Sequence, residues 1–213
     1  LGLKHSIPVV HDLGSGLVIP SQMALGYVEA TVQGSIRDGA SLVCFSGDKM
    51  FGGVQAGIIV GQKQFVTQLK KNPLYRALRV DKVTFAMIER LARSYLEGTW
   101  HSDVNLWSLA LTPIEHLRQR AEQIIKSCGH GDGLSVIASE AYMGGGALPE
   151  TTLPSVAIRI SSTRPPNDLI ERLRTLTPPV VGRVADKCLL LDLKAVDPSE
   201  DEHLVSALAT ILS

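Results

Sequence analysis

Lys49 stands in the run Leu42-Val43-Cys44-Phe45-Ser46-Gly47-Asp48-Lys49-Met50-Phe51-Gly52-Gly53-Val54-Gln55-Ala56-Gly57, and a second apolar run follows at Ile58-Ile59-Val60. The pattern is a buried strand, then a polar turn, then glycines. A lysine at such a strand end gains little from packing, and burial there favours the neutral amine that Schiff-base chemistry needs. A solvent-exposed turn lysine is the competing reading. A second strand end carries the opposite charge, where Val9-Val10 runs into His11-Asp12-Leu13-Gly14-Ser15-Gly16. A lysine amine and a carboxylate on neighbouring strand ends suit a pyridoxal-phosphate enzyme. The amine would take the cofactor aldehyde, and the carboxylate would keep the pyridine nitrogen protonated, so that the ring can accept the electron pair of a broken Cα bond. Asp12 as a plain turn former beside Gly14 is the alternative.

The elements around these residues must put them on one edge. Thr31 to Asp38, closed by Gly39, reads as a short helix between the two strands, which gives a β-loop-α-β order and a parallel sheet with its chemistry at the strand C-termini. Beyond Val60, Gln62 to Lys71 predicts an amphipathic helix. Asp81 to Leu96 predicts a longer connecting one, with Val83, Met87, Leu91 and Tyr95 every four residues and Ala86, Ile88 and Ala92 beside them. Gly98 and the unpatterned stretch from Thr99 to Ser108 mark a domain boundary, dividing the chain into residues 1–100 and 101–213.

In the second half, Thr112-Pro113-Ile114-Glu115 reads as a capping box with proline at the first helical position, opening a helix through Ile125. Strands are predicted at Leu134 to Ala138 and Val156 to Ile160, then a helix from Asp168 to Leu176. A hairpin joins Val180 to Val184 with Cys188 to Leu193 across Asp186 and Lys187. Asp197-Pro198-Ser199-Glu200 opens the last helix. The order α-β-β-α-β-β-α makes a small, mainly antiparallel sheet covered by helices.

Composition narrows the function classes. Among 213 residues, lysine plus arginine and aspartate plus glutamate number 21 each, so no global basic field marks a nucleic-acid binder. Cys44, Cys128 and Cys188 are odd in number and far apart, which fits buried small hydrophobes in a reducing compartment better than disulfides. The six histidines show no metal-ligand spacing, so no metal is assigned. No apolar run reaches the roughly 18 residues of a membrane span, and a cytoplasmic protein is expected. The start at Leu1-Gly2-Leu3-Lys4, without methionine and close to a strand, reads as that of a piece of something longer.

A family resemblance is carried by Asp12-Leu13-Gly14-Ser15-Gly16, by Phe45-Ser46-Gly47-Asp48-Lys49 with Gly52-Gly53 and Gln55-Ala56-Gly57, and by Arg76-Ala77-Leu78-Arg79 with Asp81-Lys82. Gly144-Gly145-Gly146-Ala147-Leu148-Pro149 and Pro179-Val180-Val181-Gly182-Arg183 complete it. Together they resemble bacterial selenocysteine synthases, the L-seryl-tRNA(Sec) selenium transferases, over nearly the whole chain. The match covers only the C-terminal half or so of such an enzyme, without its tRNA-binding N-terminal domain or the first half of its cofactor domain.

The resemblance implies an α/β fold of the aspartate-aminotransferase-like class (pyridoxal-phosphate fold type I), here a partial large domain plus a small α+β domain. It implies that Lys49 binds pyridoxal 5'-phosphate and then shuttles the Cα proton of the seryl group, and that Asp12 partners the pyridine nitrogen. Ser46 becomes a candidate phosphate contact. Asp48 becomes a candidate proton-transfer or orienting group, with simple pairing to an arginine as the alternative. Arg76 and Arg79, three apart and so expected on one helical face, would hold the oxyanion of selenophosphate. A solvated basic face is the bland reading of that pair. Arg183 could hold an anion or merely serve the hairpin, and the glycines at 144–146 would let the backbone approach a neighbour closely. The implied partners are a homo-oligomer, built from dimers into a ring, and seryl-tRNA(Sec), gripped by regions outside this chain. A lyase acting on a small amino sugar or amino acid, or a non-catalytic assembly module, are the rival readings.

Overall fold

The computed structural model describes every residue except 1, 21, 23, 24, 27, 130, 145–151 and 213. Its contacts divide the chain into two compact units, the first Leu1–Leu111 with Met143–Glu150 and the second Thr112–Tyr142 with Thr151–Ser213.

In the first unit a short helix, α1 (Gly2–His5), precedes β1 (Val10–Gly14), and α2 (Val32–Arg37) leads to β2 (Leu42–Ser46). Thr31 starts α2 because its Oγ1 accepts the Gly34 N–H at 3.0 Å. Strand β3 (Gly57–Gly61) completes the sheet, in the order β1-β2-β3. The first pair is parallel, with Val10 opposite Leu42 and Asp12 opposite Cys44, as the β-loop-α-β pattern requires. The second is antiparallel and ends on Ser46 opposite Gly57. Strand β2 alternates, burying Val43 and Phe45 while Leu42, Cys44 and Ser46 lie on the other face, half-buried.

Helices α3 (Lys63–Lys71), α4 (Pro73–Leu78) and α5 (Lys82–Glu97) follow. Asn72 and Asp81 cap the second and third, accepting the Leu74 and Thr84 N–H groups at 3.0 and 2.8 Å. The buried stripe of α5 is narrower than its apolar pattern. Ile88, Leu91, Ala92 and Tyr95 pack on a core of Val32, Ala40, Val43, Phe45 and Phe51, whereas Val83 and Met87, expected on the same face, are exposed because the helix outruns that core. The unpatterned residues after Gly98 form two short helices, α6 (Trp100–Asp103) and α7 (Asn105–Ala110). Their tryptophans pack together edge to face at 5.8 Å.

The second unit runs α8 (Ile114–Ser127), β4 (Leu134–Tyr142), β5 (Thr152–Ile160), α9 (Pro166–Arg174), β6 (Arg183–Ala185), β7 (Cys188–Asp192) and α10 (Asp201–Leu212). Its sheet is antiparallel throughout, in the order β4-β5-β7-β6. One apolar core under that sheet includes Leu117, Ile158, Leu169, Leu189 and Leu208. The Arg120 guanidinium ties α8 to α10, donating to both carboxylate oxygens of Asp201 at 3.0 and 2.6 Å.

The capping box does not form as expected. Pro113 itself occupies the cap of α8, so the helix starts one residue later than predicted, at Ile114, and the cap residue makes no side-chain cap hydrogen bond. Asp186 and Lys187 do make the predicted hairpin connection, both with positive φ (49° and 59°), the twist that matches two paired strands. Arg183 donates to Ser139 Oγ at 2.8 Å, and that hydroxyl donates to Asp192 at 2.6 Å, so the arginine serves the sheet. Residues 145–149 of the glycine-rich run lie outside the described residues.

Candidate active site

The turn after β2 carries Lys49 and is held from several sides. The Gly47 N–H donates to the Ala56 carbonyl at 2.8 Å, and Gly53 N–H returns to the Gly47 carbonyl at 2.9 Å. Gly52 N–H closes on the Lys49 carbonyl at 2.8 Å, and Met50 N–H reaches the Ser15 carbonyl at 2.8 Å. Met50 and Phe51 are buried, and these two anchors leave Lys49 half-buried between them and the exposed Asp48. The turn is thus a fixed platform that leaves Asp48 exposed and Lys49 half-buried at its surface.

That platform touches the end of β1. Gly16 sits at φ +71°, and a Cβ there would fall 2.6 Å from the Ser46 carbonyl oxygen and 2.9 Å from the Phe45 ring, so only glycine lets the two strand ends come this close. The Lys49 ammonium nitrogen lies 3.8 Å from where a Cβ on Gly14 would stand. The lysine therefore points across the end of its own strand onto its neighbour. Asp12, on that neighbour, is exposed and opposite Cys44. The Cys44 thiol is pushed up by its burial and, to a lesser extent, by the negative charge of Asp12. Asp12 and Lys49 share the edge without an ion pair between them, among the described residues.

The donor set on this edge fits pyridoxal phosphate: an amine for the aldehyde, a carboxylate for the ring nitrogen and, in half-buried Ser46, a hydroxyl for a phosphate oxygen. The pairing of Asp48 with an arginine is not seen among the described residues. Among those residues no cluster of His, Cys, Asp or Glu could hold a metal ion.

Arg76 and Arg79 come together, though not as two residues of one helical turn. Arg79 ends α4 with an extended backbone (φ −62°, ψ 139°), because the helix lasts six residues before Asp81 starts the next. Both arginines are exposed and line one depression with Asp81, Lys82, Phe85 and Glu89. No hydrogen bond or ion pair joins this pair to the lysine edge, among the described residues.

Two features of the site escape sequence reasoning. Ser15 Oγ is buried beside the lysine turn and meets no hydrogen-bond partner among the described residues. Behind the turn, the Tyr95 hydroxyl donates to the Phe51 carbonyl at 2.8 Å and accepts from Trp107 Nε1 at 2.8 Å. In the sequence Tyr95 reads only as one more apolar position of α5; its spacing gave no sign of the hydroxyl's partners.

The family model for SelA, L-seryl-tRNA selenium transferase, matches residues 1–197. The chain belongs to the SelA family. The L-seryl-tRNA(Sec) selenium transferase of Moorella thermoacetica is 41% identical over 223 residues, covering 100% of this SelA-family chain and 46% of the relative. That of Aquifex aeolicus (strain VF5) is 37% identical over 217 residues, covering 100% and 48%. The chain thus spans about half the length of the curated relatives it matches. Among solved structures, D-glucosaminate-6-phosphate ammonia-lyase superimposes with a TM-score of 0.63 at 17% identity, over 99% of this chain and 50% of that one. The expected α/β fold of the aspartate-aminotransferase-like class is borne out. No helix of the described residues is long and apolar enough to cross a membrane.

Proposed function

We propose that the full-length protein containing this SelA-family chain converts seryl-tRNA(Sec) to selenocysteinyl-tRNA(Sec), with pyridoxal phosphate as cofactor and selenophosphate as donor. The observation that carries this reading is the Lys49 amine turned onto the end of β1, 3.8 Å from the Gly14 Cβ position, on the edge where Asp12 also stands. Bound there, the cofactor supplies the electron sink that lets the serine hydroxyl leave and selenium add. Lys49 would hold the cofactor through its side-chain amine, and the same amine would carry the Cα proton. Asp12 keeps the ring nitrogen charged, and Ser46 takes a phosphate oxygen. Asp48, next to Lys49 and free of a basic partner among the described residues, orients or relays a proton. Arg76 and Arg79 take the oxyanion of the selenium donor. The homo-oligomeric state and cytoplasmic setting expected from the sequence belong to this reading, as does tRNA binding by sequence outside this chain.

A lyase acting on a phosphorylated amino sugar is the second reading, suggested by the fold likeness to D-glucosaminate-6-phosphate ammonia-lyase. The identities favour the transferase, at 37% and 41% against 17%. Borohydride reduction of the full-length protein with pyridoxal phosphate, followed by peptide mapping, should place the adduct on Lys49. Lys49→Ala should lose both the adduct and the conversion of seryl-tRNA(Sec). An adduct on another lysine, or turnover surviving in Lys49→Ala, would refute the assignment.

A further inference from the structure

The Phe51 carbonyl belongs to the turn that carries Lys49 and lies two residues beyond it. It is the only carbonyl of that turn, among the described residues, that receives a side-chain hydroxyl. Tyr95 supplies that hydroxyl from α5 at 2.8 Å, while its ring stacks on the Phe51 ring at 5.3 Å with 19° between the planes. Trp107, fully buried on α7, donates its indole N–H to the same hydroxyl at 2.8 Å. An indole can only donate, so the tyrosine oxygen must accept from it and direct its own proton to Phe51. The direction of the tyrosine proton is thereby fixed.

Resting on the reading of Lys49 as the cofactor lysine, we propose that Tyr95 is a positioning residue for Lys49, setting where its amine stands by clamping the far side of its turn. The near side is already clamped by the Ser15 carbonyl on Met50 N–H. With both sides held, the backbone of Lys49 has one placement relative to β1. With the far clamp gone, the Phe51–Gly52 peptide is held on this side only by its Gly52 N–H on the Lys49 carbonyl at 2.8 Å, so any tilt of that peptide passes directly to the Lys49 backbone. Burial pushes the Tyr95 phenol up to about 12, so it remains a hydroxyl donor throughout the working pH range.

Tyr95→Phe in the full-length protein keeps the ring stack and removes only the hydroxyl. Its rate of forming a borohydride-reducible adduct between pyridoxal phosphate and Lys49 should fall roughly ten- to a hundredfold, the scale of an ångström-level misplacement. The pH midpoint of the adduct's absorbance should shift as well, with circular dichroism unchanged. A wild-type rate and midpoint in Tyr95→Phe would overturn the positioning role and leave the function of Lys49 standing. So would a loss that merely tracks the unfolded fraction in a thermal melt. Absence of any Lys49 adduct in the wild-type protein would overturn the reading of Lys49 and the clamp together.

Discussion

At the scale of single residues, Arg76 and Arg79 make the sharpest case. Two like charges lining one depression repel each other, and both are exposed, so water screens them and the fold gains little from the arrangement. An anion between them turns that cost into two charge-assisted contacts. Losing one should cost about 1.5 to 3 kcal/mol, or roughly ten- to a hundredfold in donor use. Steady-state kinetics with selenophosphate or thiophosphate should therefore show the fall for Arg76→Ala and for Arg79→Ala while the Lys49 adduct forms normally. Unaltered donor kinetics in both variants would remove the anion role, and loss of the adduct along with activity would mean that they act on the fold. The family resemblance, and not type or spacing, singled this pair out, since an R-x-x-R spacing alone reads as a solvated basic face; its geometry was not legible either. The spacing of three implied a shared helical face, but a proline start and an aspartate cap five residues beyond Arg76 leave too short a helix to include Arg79. Tyr95 was illegible for a different reason, since its hydroxyl's two partners, Phe51 and Trp107, come from separate elements that only the fold brings together.

At the scale of elements, the contact between the β1 turn and the end of β2 decides whether the lysine edge exists. Gly16 and Gly39 both have positive φ, at +71° and +100°, but a Cβ on Gly39 meets nothing within 4 Å, whereas one on Gly16 meets backbone. Gly39→Ala should cost the conformational penalty alone, about 1 to 2 kcal/mol. Gly16→Ala should cost more and push the two strand ends apart, since the Ser46 carbonyl cannot swing aside without breaking β2. Chemical denaturation of the two variants measures the difference, and adduct formation at Lys49 should fall only in Gly16→Ala. Equal losses of stability with an intact adduct in both would show that the strand ends tolerate separation. The parallel pairing of β1 with β2 was readable from the β-loop-α-β order, and the antiparallel second sheet from its hairpin and strand spacing. The extra length of β4 was not, because residues 139–142 are held by pairing with 152–155 and carry little apolar signal of their own. Helices α6 and α7 were missed because tryptophan packing, and no 3.6-residue period, organises them.

At the scale of the whole molecule, the two units differ in how completely they bury their apolar residues. The second has one continuous core drawn from α8, α9, α10 and three of its four strands. The first leaves Val10 58% exposed on β1, Leu78 78% exposed on α4, and Val83, Phe85 and Met87 more than half exposed on α5. An edge strand with open backbone groups and an apolar helix face is a surface that associates in water. The curated relatives are about twice the length of this stretch, and chain of that length is available in them to cover such surfaces. The 213-residue stretch, expressed without further sequence, should accordingly bind a hydrophobic dye, self-associate in gel filtration and hold pyridoxal phosphate weakly. It should not turn over seryl-tRNA(Sec). Limited proteolysis of it should leave a resistant core within 112–213, because that unit closes its own core. Turnover of seryl-tRNA(Sec) by the isolated stretch would show that Asp12, Ser46, Lys49 and the arginine pair suffice without anything else to complete the cofactor site. The lysine edge would then be a whole active site, and the exposed faces of β1 and α5 would need a different explanation.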